Sequence, residues 1–287
     1  MNAEDLLVSR FNLNRGKYSM FVGAGISVSA GVPLATLDLP RLPSIVSCIR
    51  RDFYNSHNGT PLSDSKLLAW YSDQKLLQRP DTIYSDALNL IGDTPRTRQE
   101  YLRKFFERKQ PGPSHISIAR LVEKECLEIM FTTNFDSMTE GAIRKNGNCL
   151  EPKVAAHSQT IADILLSEPG PKIVKLHGDY LYSDIKNTTS ETNNLEKNIR
   201  DKLRSLLRER GLIVVGYSGN DHTVMSTLEQ MAFDGDFFPY GLYWLQLDGS
   251  APTKRVVQFV ETVGGLLLTI PGADILLQGL ATRVGKC

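Results

Sequence analysis

The chain has 287 residues, 41% hydrophobic and 23% charged, with a net charge of +1, which is the composition of an ordinary globular protein. The charge balance carries neither the basic excess of a nucleic-acid surface nor an acidic tail, and no apolar run approaches a membrane span. A cytoplasmic protein without direct nucleic-acid or membrane partners is expected.

The first buried-strand pattern is Tyr18–Val22, and it runs into Gly23-Ala24-Gly25-Ile26-Ser27. A strand that feeds a glycine turn and a helix start brings unpaired N–H groups and a positive dipole end together, and glycine lets a backbone approach a pyrophosphate. The glycines fall at 23, 25 and 31, so GxGxxG is not completed, because Val28 takes the third position. From about Pro33 to Gln110 the strand–helix alternation breaks. Segments such as "LPRLPSIVSCIRRDFYNS" and "RTRQEYLRKFFERK" predict a mostly helical insertion or subdomain at about 33–110, within one domain spanning 1–287.

The pattern then resumes. A helix over 114–125 precedes a strand at Leu127–Thr132, which ends in Thr132-Thr133-Asn134-Phe135-Asp136. The strand Lys172–Leu176 ends in His177-Gly178-Asp179, and a helical pattern covers 191–211. The strand Leu212–Gly216 ends in Tyr217-Ser218-Gly219-Asn220-Asp221, and strands follow at Gly241–Leu247 and Gly265–Ile270. Continuous apolar strands separated by helices predict an α/β fold, a Rossmann-like parallel sheet covered on both faces. Ligands of such sheets sit outside the carboxyl ends of the strands, where four polar clusters converge. Singly, each has a plainer use: a tight turn, a helix cap by Asn134 or Asp136, a structural histidine. Their joint placement at one end of the sheet argues for a site.

Other chemistries lack support. Cys48, Cys126, Cys149 and Cys287 form no C-x-x-C and no close cysteine–histidine pair, so reduced thiols and no bound metal are expected. No GxxxxGK[ST] occurs, and "LDLPRLP" stands where a dehydrogenase would place its ribose-binding acid.

The ordered set GAGIS, "GPSHISIARL", TTNFD, "KLHGD" and "VVGYSGND" resembles the SIR2 (sirtuin) superfamily over roughly Tyr18 to Ile270. It is most similar to the SIR2-like NAD-consuming effector domains of prokaryotic antiphage defence proteins. Deacylating sirtuins follow their GAGIS loop with Ile-Pro-Asp-Phe-Arg, where this chain has Val32-Pro33-Leu34-Ala35-Thr36, and they carry a four-cysteine zinc site that these cysteines do not build. The resemblance implies an NAD+ glycohydrolase, with NAD as substrate, that releases nicotinamide and ADP-ribose. It implies that Gly23, Ala24, Gly25, Ser27, Thr133, Asn134, Asp136, Gly216, Ser218 and Asn220 bind NAD. In the same way His177 is the catalytic base, Asn134 and Asp136 act on the nicotinamide ribose, and Leu247–Asp248 border the adenine. His115 is implied to be structural, holding helix to sheet. A homo-oligomer or partner-regulated protein is expected, with a C-terminal sensor region beyond this chain. The alternatives are a protein deacylase or ADP-ribosyltransferase, and a non-catalytic NAD or ADP-ribose sensor.

Overall fold

A computed structural model describes residues 2–79, 82–146, 150–156, 168–176 and 197–285, the last segment without side-chain detail at 197–199. Its centre is Tyr18–Val22 (β1), buried at all five positions. Five consecutive buried residues suit a strand packed on both faces, and alternate side chains divide between them. Met20 and Val22 enter one hydrophobic cluster and Phe21 the other.

Around β1 the described strands form one parallel sheet. They are Ile129–Thr132 (β2), Lys153–Ala155 (β3), Lys172–Lys175 (β4), Gly211–Val215 (β5), Leu242–Leu247 (β6) and Leu266–Ile270 (β7), in the order β3-β4-β2-β1-β5-β6-β7. Every pairing between these strands is parallel, with Met20 opposite Met130 on one side and Ile213 on the other. Helix Ala3–Leu13 (α1), helix Pro113–Glu123 (α6) and the helix Ala273–Arg283 cover one face through Phe11, Leu121 and Leu277. The helices Lys197–Leu207, His222–Asp234 and Lys254–Thr262 cover the other through Leu203, Leu228 and Phe259.

The helical insertion contains Ile45–Asn58 (α2), Asp64–Asp73 (α3), Ile83–Ile91 (α4) and Pro95–Phe106 (α5). Local signals delimit these helices: the Ser44 side chain accepts from the Ser47 N–H, Gly59 ends α2 at φ 72, and Thr94 caps α5 ahead of Pro95. Their apolar faces build a third cluster from Ile49, Tyr71, Leu88, Leu102 and Phe106, which also takes in Val32 and Met138. Met138 opens Met138–Asn146 (α7), so the insertion touches the segment that follows β2.

Several local expectations are corrected. The segment after β1 is a 3-10 helix, Ala24–Ala30, closed by Gly31 at φ 77, and not the first turn of an α-helix. β5 stops at Val215, because Gly216 turns to φ 67. The strand β3 is an addition to the expected set, since Lys153–Ala155 is only three residues long and lies at the sheet edge. Cys126 is disulfide-bonded, so the expectation of four reduced thiols does not hold.

Candidate active site

After β1 the chain turns towards β2, while β5 continues the sheet on the other side, so the loops following β1 and β5 adjoin at the point where strand order reverses. That is where open parallel sheets hold their ligands. Here the two loops are laced together. The Gly23 N–H donates to the Val215 carbonyl at 3.0 Å, and the Gly25 N–H donates to the Gly216 carbonyl at 2.9 Å. A Cβ on Gly23 would lie 2.5 Å from the Gly216 oxygen, and one on Gly25 would lie 2.8 Å from the Gly216 Cα. The glycines at 23, 25 and 216 are therefore required for backbone to meet backbone. Two of the loop's N–H groups, those of Gly23 and Gly25, bond to the β5 side.

On the opposite side of β1, the β2 end supplies a buried polar network. Asn134 is held by its own N–H, which donates to Thr132 Oγ1 at 2.9 Å. Its Nδ2 donates to the Gly23 carbonyl at 3.2 Å and to Ser27 Oγ at 3.3 Å. A carbonyl partner accepts only, so it fixes which end of the amide is nitrogen. The other end, Oδ1, is buried and accepts no hydrogen bond among the described residues. Buried polar atoms are nearly always paired, so this acceptor marks a place for a donor.

Ser27 joins the network together. Its hydroxyl donates to Asp136 Oδ2 at 3.0 Å and contacts His115 Nε2 at 3.2 Å. The Gly112 N–H donates to His115 Nδ1 at 3.1 Å, which makes Nδ1 the acceptor and puts the imidazole proton on Nε2, pointing at Ser27. Burial holds the His115 pKa below its ordinary value, against the opposing charge of Asp136 and Asp274, and the neutral ring is the form these contacts need. Asp136 Oδ1 accepts from the Met138 N–H at 3.0 Å. Asp136 thus caps α7 and also accepts from Ser27. Ser27 and His115 are fully buried, with Asp136 and Asn134 at 5% and 9% exposure.

A cleft of about 240 Å³ opens beside Asp136, between the end of α5 and the start of α7, lined by Phe106, Lys109, Pro111, Asp136, Met138 and Lys145. Ala24 and Thr133 are half-buried at the strand ends, and Ser218 and Asn220 are exposed. Leu247 and Asp248 are exposed beyond β6. Part of the "SGND" run is structural: the Asp221 carboxylate accepts from the Thr223 and Val224 N–H groups at 3.0 and 3.1 Å, capping its helix. His177 lies outside the described residues.

Two residues went unremarked in the sequence, Lys175 and Glu140. Lys175 Nζ lies 2.8 Å from Glu140 Oε1 and donates to the Asp136 carbonyl at 2.6 Å, with both side chains almost fully buried. Lys175 closes a strand that also opens on a lysine, Lys172, and Glu140 sits in a helix with charged neighbours, so neither pattern signals a buried pair. Among the described residues no group of three or more His, Cys, Asp or Glu side chains is placed to hold a metal ion. No helix there is long and apolar enough to cross a membrane.

Residues 128–262 match the model of the SIR2-like domain family. Among solved structures, one described as the structural basis for the mechanism and regulation of Sir2 enzymes aligns over 99% of this chain and 98% of its own, at 14% identity and a TM-score of 0.52. A mutant Sir2 homologue in complex with ADP-ribose aligns over 99% and 96%, at 13% identity and a TM-score of 0.55. A Sir2 homologue in complex with NAD aligns over 99% and 94%, at 12% identity and a TM-score of 0.50. At such low identities these superpositions show a shared fold and nothing beyond it. Among curated proteins no sequence matches.

Proposed function

We propose that the chain is a SIR2-superfamily NAD+ glycohydrolase that releases nicotinamide and ADP-ribose, a reading supported by the SIR2-like domain match at residues 128–262 and by the fold it shares with Sir2 structures. The observation that carries this reading is the orphaned Asn134 Oδ1, buried beside the Gly23–Ser27 loop and the Asp136 network. A ribose hydroxyl is a donor that would complete it.

The residues suit the chemistry. The bond that breaks joins the ribose C1′ to a cationic ring nitrogen, and its electron pair neutralises the departing nicotinamide. No general acid is needed, in contrast to ordinary glycoside cleavage. The electron-poor ribose left behind is oxocarbenium-like, and the Asp136 carboxylate supplies negative charge close to the strand ends. Asn134 orients the ribose. Water then bonds to C1′ and loses a proton. By resemblance His177 is the base that takes it. Ser27 and His115 hold Asp136 and Asn134 in place and touch no reacting atom.

The altered Val32–Thr36 segment favours water over an acyl-lysine acceptor. By family likeness, the activity would deplete NAD as the effector of an antiphage defence system, in a self-associated or partner-released state with a sensor region following residue 287.

Incubation of the purified chain with NAD, with products separated by chromatography, tests the proposal. Nicotinamide and ADP-ribose should appear one to one, and an acetyl-lysine peptide should neither speed the reaction nor yield acetylated ADP-ribose. A peptide-dependent rate with that product would identify a deacylase, and binding of NAD without turnover would identify a sensor. His177→Ala should lower turnover by about 10²–10⁴, and Asn134→Ala by about 10²–10³, each with smaller effects on NAD affinity.

A further inference from the structure

We propose that Lys175, paired with Glu140, is a positioning residue for the reaction: its ammonium grips the Asp136 main-chain carbonyl and so sets the segment that presents Asn134 and Asp136. This deepens the glycohydrolase reading and rests on it for its kinetic consequence.

The argument begins with the cost of the arrangement. Lys172 and Lys175 are both fully buried on β4, and a buried ammonium is tolerated only with a close anion and filled hydrogen bonds. Lys172 Nζ meets Glu128 at 2.6 Å at the far end of the strand, together with the Glu168 carbonyl, and it is remote from the candidate site. Lys175 is different. It is the last residue of β4, and its Nζ lies 2.8 Å from Glu140 and 2.6 Å from the Asp136 carbonyl oxygen. Burial raises the Glu140 pKa, and the Lys175 ammonium opposes that rise.

An apolar pair of the same size would pack at least as well, since replacing buried ion pairs with hydrophobic residues is often neutral or stabilising. What an apolar pair could not do is donate to the Asp136 carbonyl. That carbonyl belongs to the residue whose carboxylate accepts from Ser27 and whose neighbour two positions back is Asn134. The ammonium therefore joins the end of β4, the first turn of α7 and the active segment after β2. Small displacements of such a segment are expensive, because a misplacement of about 1 Å can lower a rate about 10²-fold.

The test compares wild type with Lys175→Met and with the double variant Lys175→Met/Glu140→Leu, which removes both charges and restores an apolar interior. Each is measured for thermal midpoint, NAD affinity by calorimetry, kcat for NAD cleavage, and hydrogen exchange of the Asn134–Met138 amides. The double variant should keep a midpoint close to wild type and bind NAD within a few-fold. Its kcat should fall about 10²-fold, and its Asn134–Met138 amides should exchange faster. Lys175→Arg should recover part of kcat.

A double variant with wild-type kcat and unchanged exchange overturns the inference, as does a kcat loss that merely tracks the midpoint. Unfolding of both Met-bearing variants overturns it in favour of a purely structural pair. If wild type itself leaves NAD intact, the glycohydrolase reading fails, and the exchange of these amides still decides whether Lys175 positions the segment.

Discussion

His115 illustrates how one side chain can be dictated by its surroundings. Its Nδ1 accepts from Gly112 and its Nε2–H faces Ser27, so a second ring proton would have no acceptor and would place a donor against the Gly112 N–H. Its pKa is held low by burial. As pH falls below about 6.5, the ordinary histidine value, the unfolded chain takes up a proton that the folded ring refuses. Stability is therefore fully present above that pH and declines towards the lower folded value, with a slope of at most about 1.4 kcal/mol per pH unit from this group. Urea unfolding of wild type and His115→Gln between pH 5 and 8 should show the stability difference between them shrinking as pH falls. A constant difference would mean that the ring protonates equally in both states. Gly25 is governed by contact and not by dihedral freedom, since it does not lie at positive φ. Gly25→Val should lower the thermal midpoint by overpacking against Gly216, at a cost of about 1–3 kcal/mol. Unchanged stability with lost NAD affinity would show that the side chain points at ligand after all.

At the scale of elements, the site depends on helices whose ends are fastened by neighbours distant in sequence. The Asp136 carboxylate begins α7, and Asp274, at the start of the last helix, accepts from the Ser114 N–H at 3.0 Å at the start of α6. At the other end of that pair, Lys124 Nζ donates to the Ala281 and Val284 carbonyls, both at 2.7 Å, and so satisfies the C-terminus of the last helix. A cation there also meets the negative end of the helix dipole. Lys124→Met should destabilise the protein by about 1–3 kcal/mol, as loss of a hydrogen-bonding partner to charge does. Amide exchange confined to residues 276–284 should report it; a uniform change across the sheet would place the effect elsewhere.

At the scale of the whole molecule, the sheet with its two covered faces and the helical insertion have separate apolar clusters, the insertion's taking in Val32 and Met138. Separate cores can open separately. Leu102→Ala empties a fully buried position in the insertion and should cost about 2–5 kcal/mol. It should accelerate amide exchange in α2–α5 much more than in β1, β2 and β5. Equal acceleration everywhere would mean that the insertion and sheet unfold as one unit.

The architecture was legible because its signals are local. Five-residue apolar runs such as Tyr18–Val22, separated by helical patterns with Ser, Thr and Pro at their starts, can only bury themselves as a parallel sheet under helices. The strand-end motifs were equally legible, and Asn134, Asp136 and Ser27 do come together at one end of that sheet. What sequence could not determine was which group each polar atom would meet. The glycines of the first loop look as if they await a phosphate, and only the fold shows Gly23 and Gly25 pressed on Gly216. His115, 88 residues from Ser27 in the chain, contacts it because α6 docks against the 3-10 helix that follows β1. Lys175 and Glu140 are buried together for the same kind of reason: a pairing between the end of one strand and the helix after another depends on strand order, and strand order is settled by packing of the whole chain, not by any local run of residues.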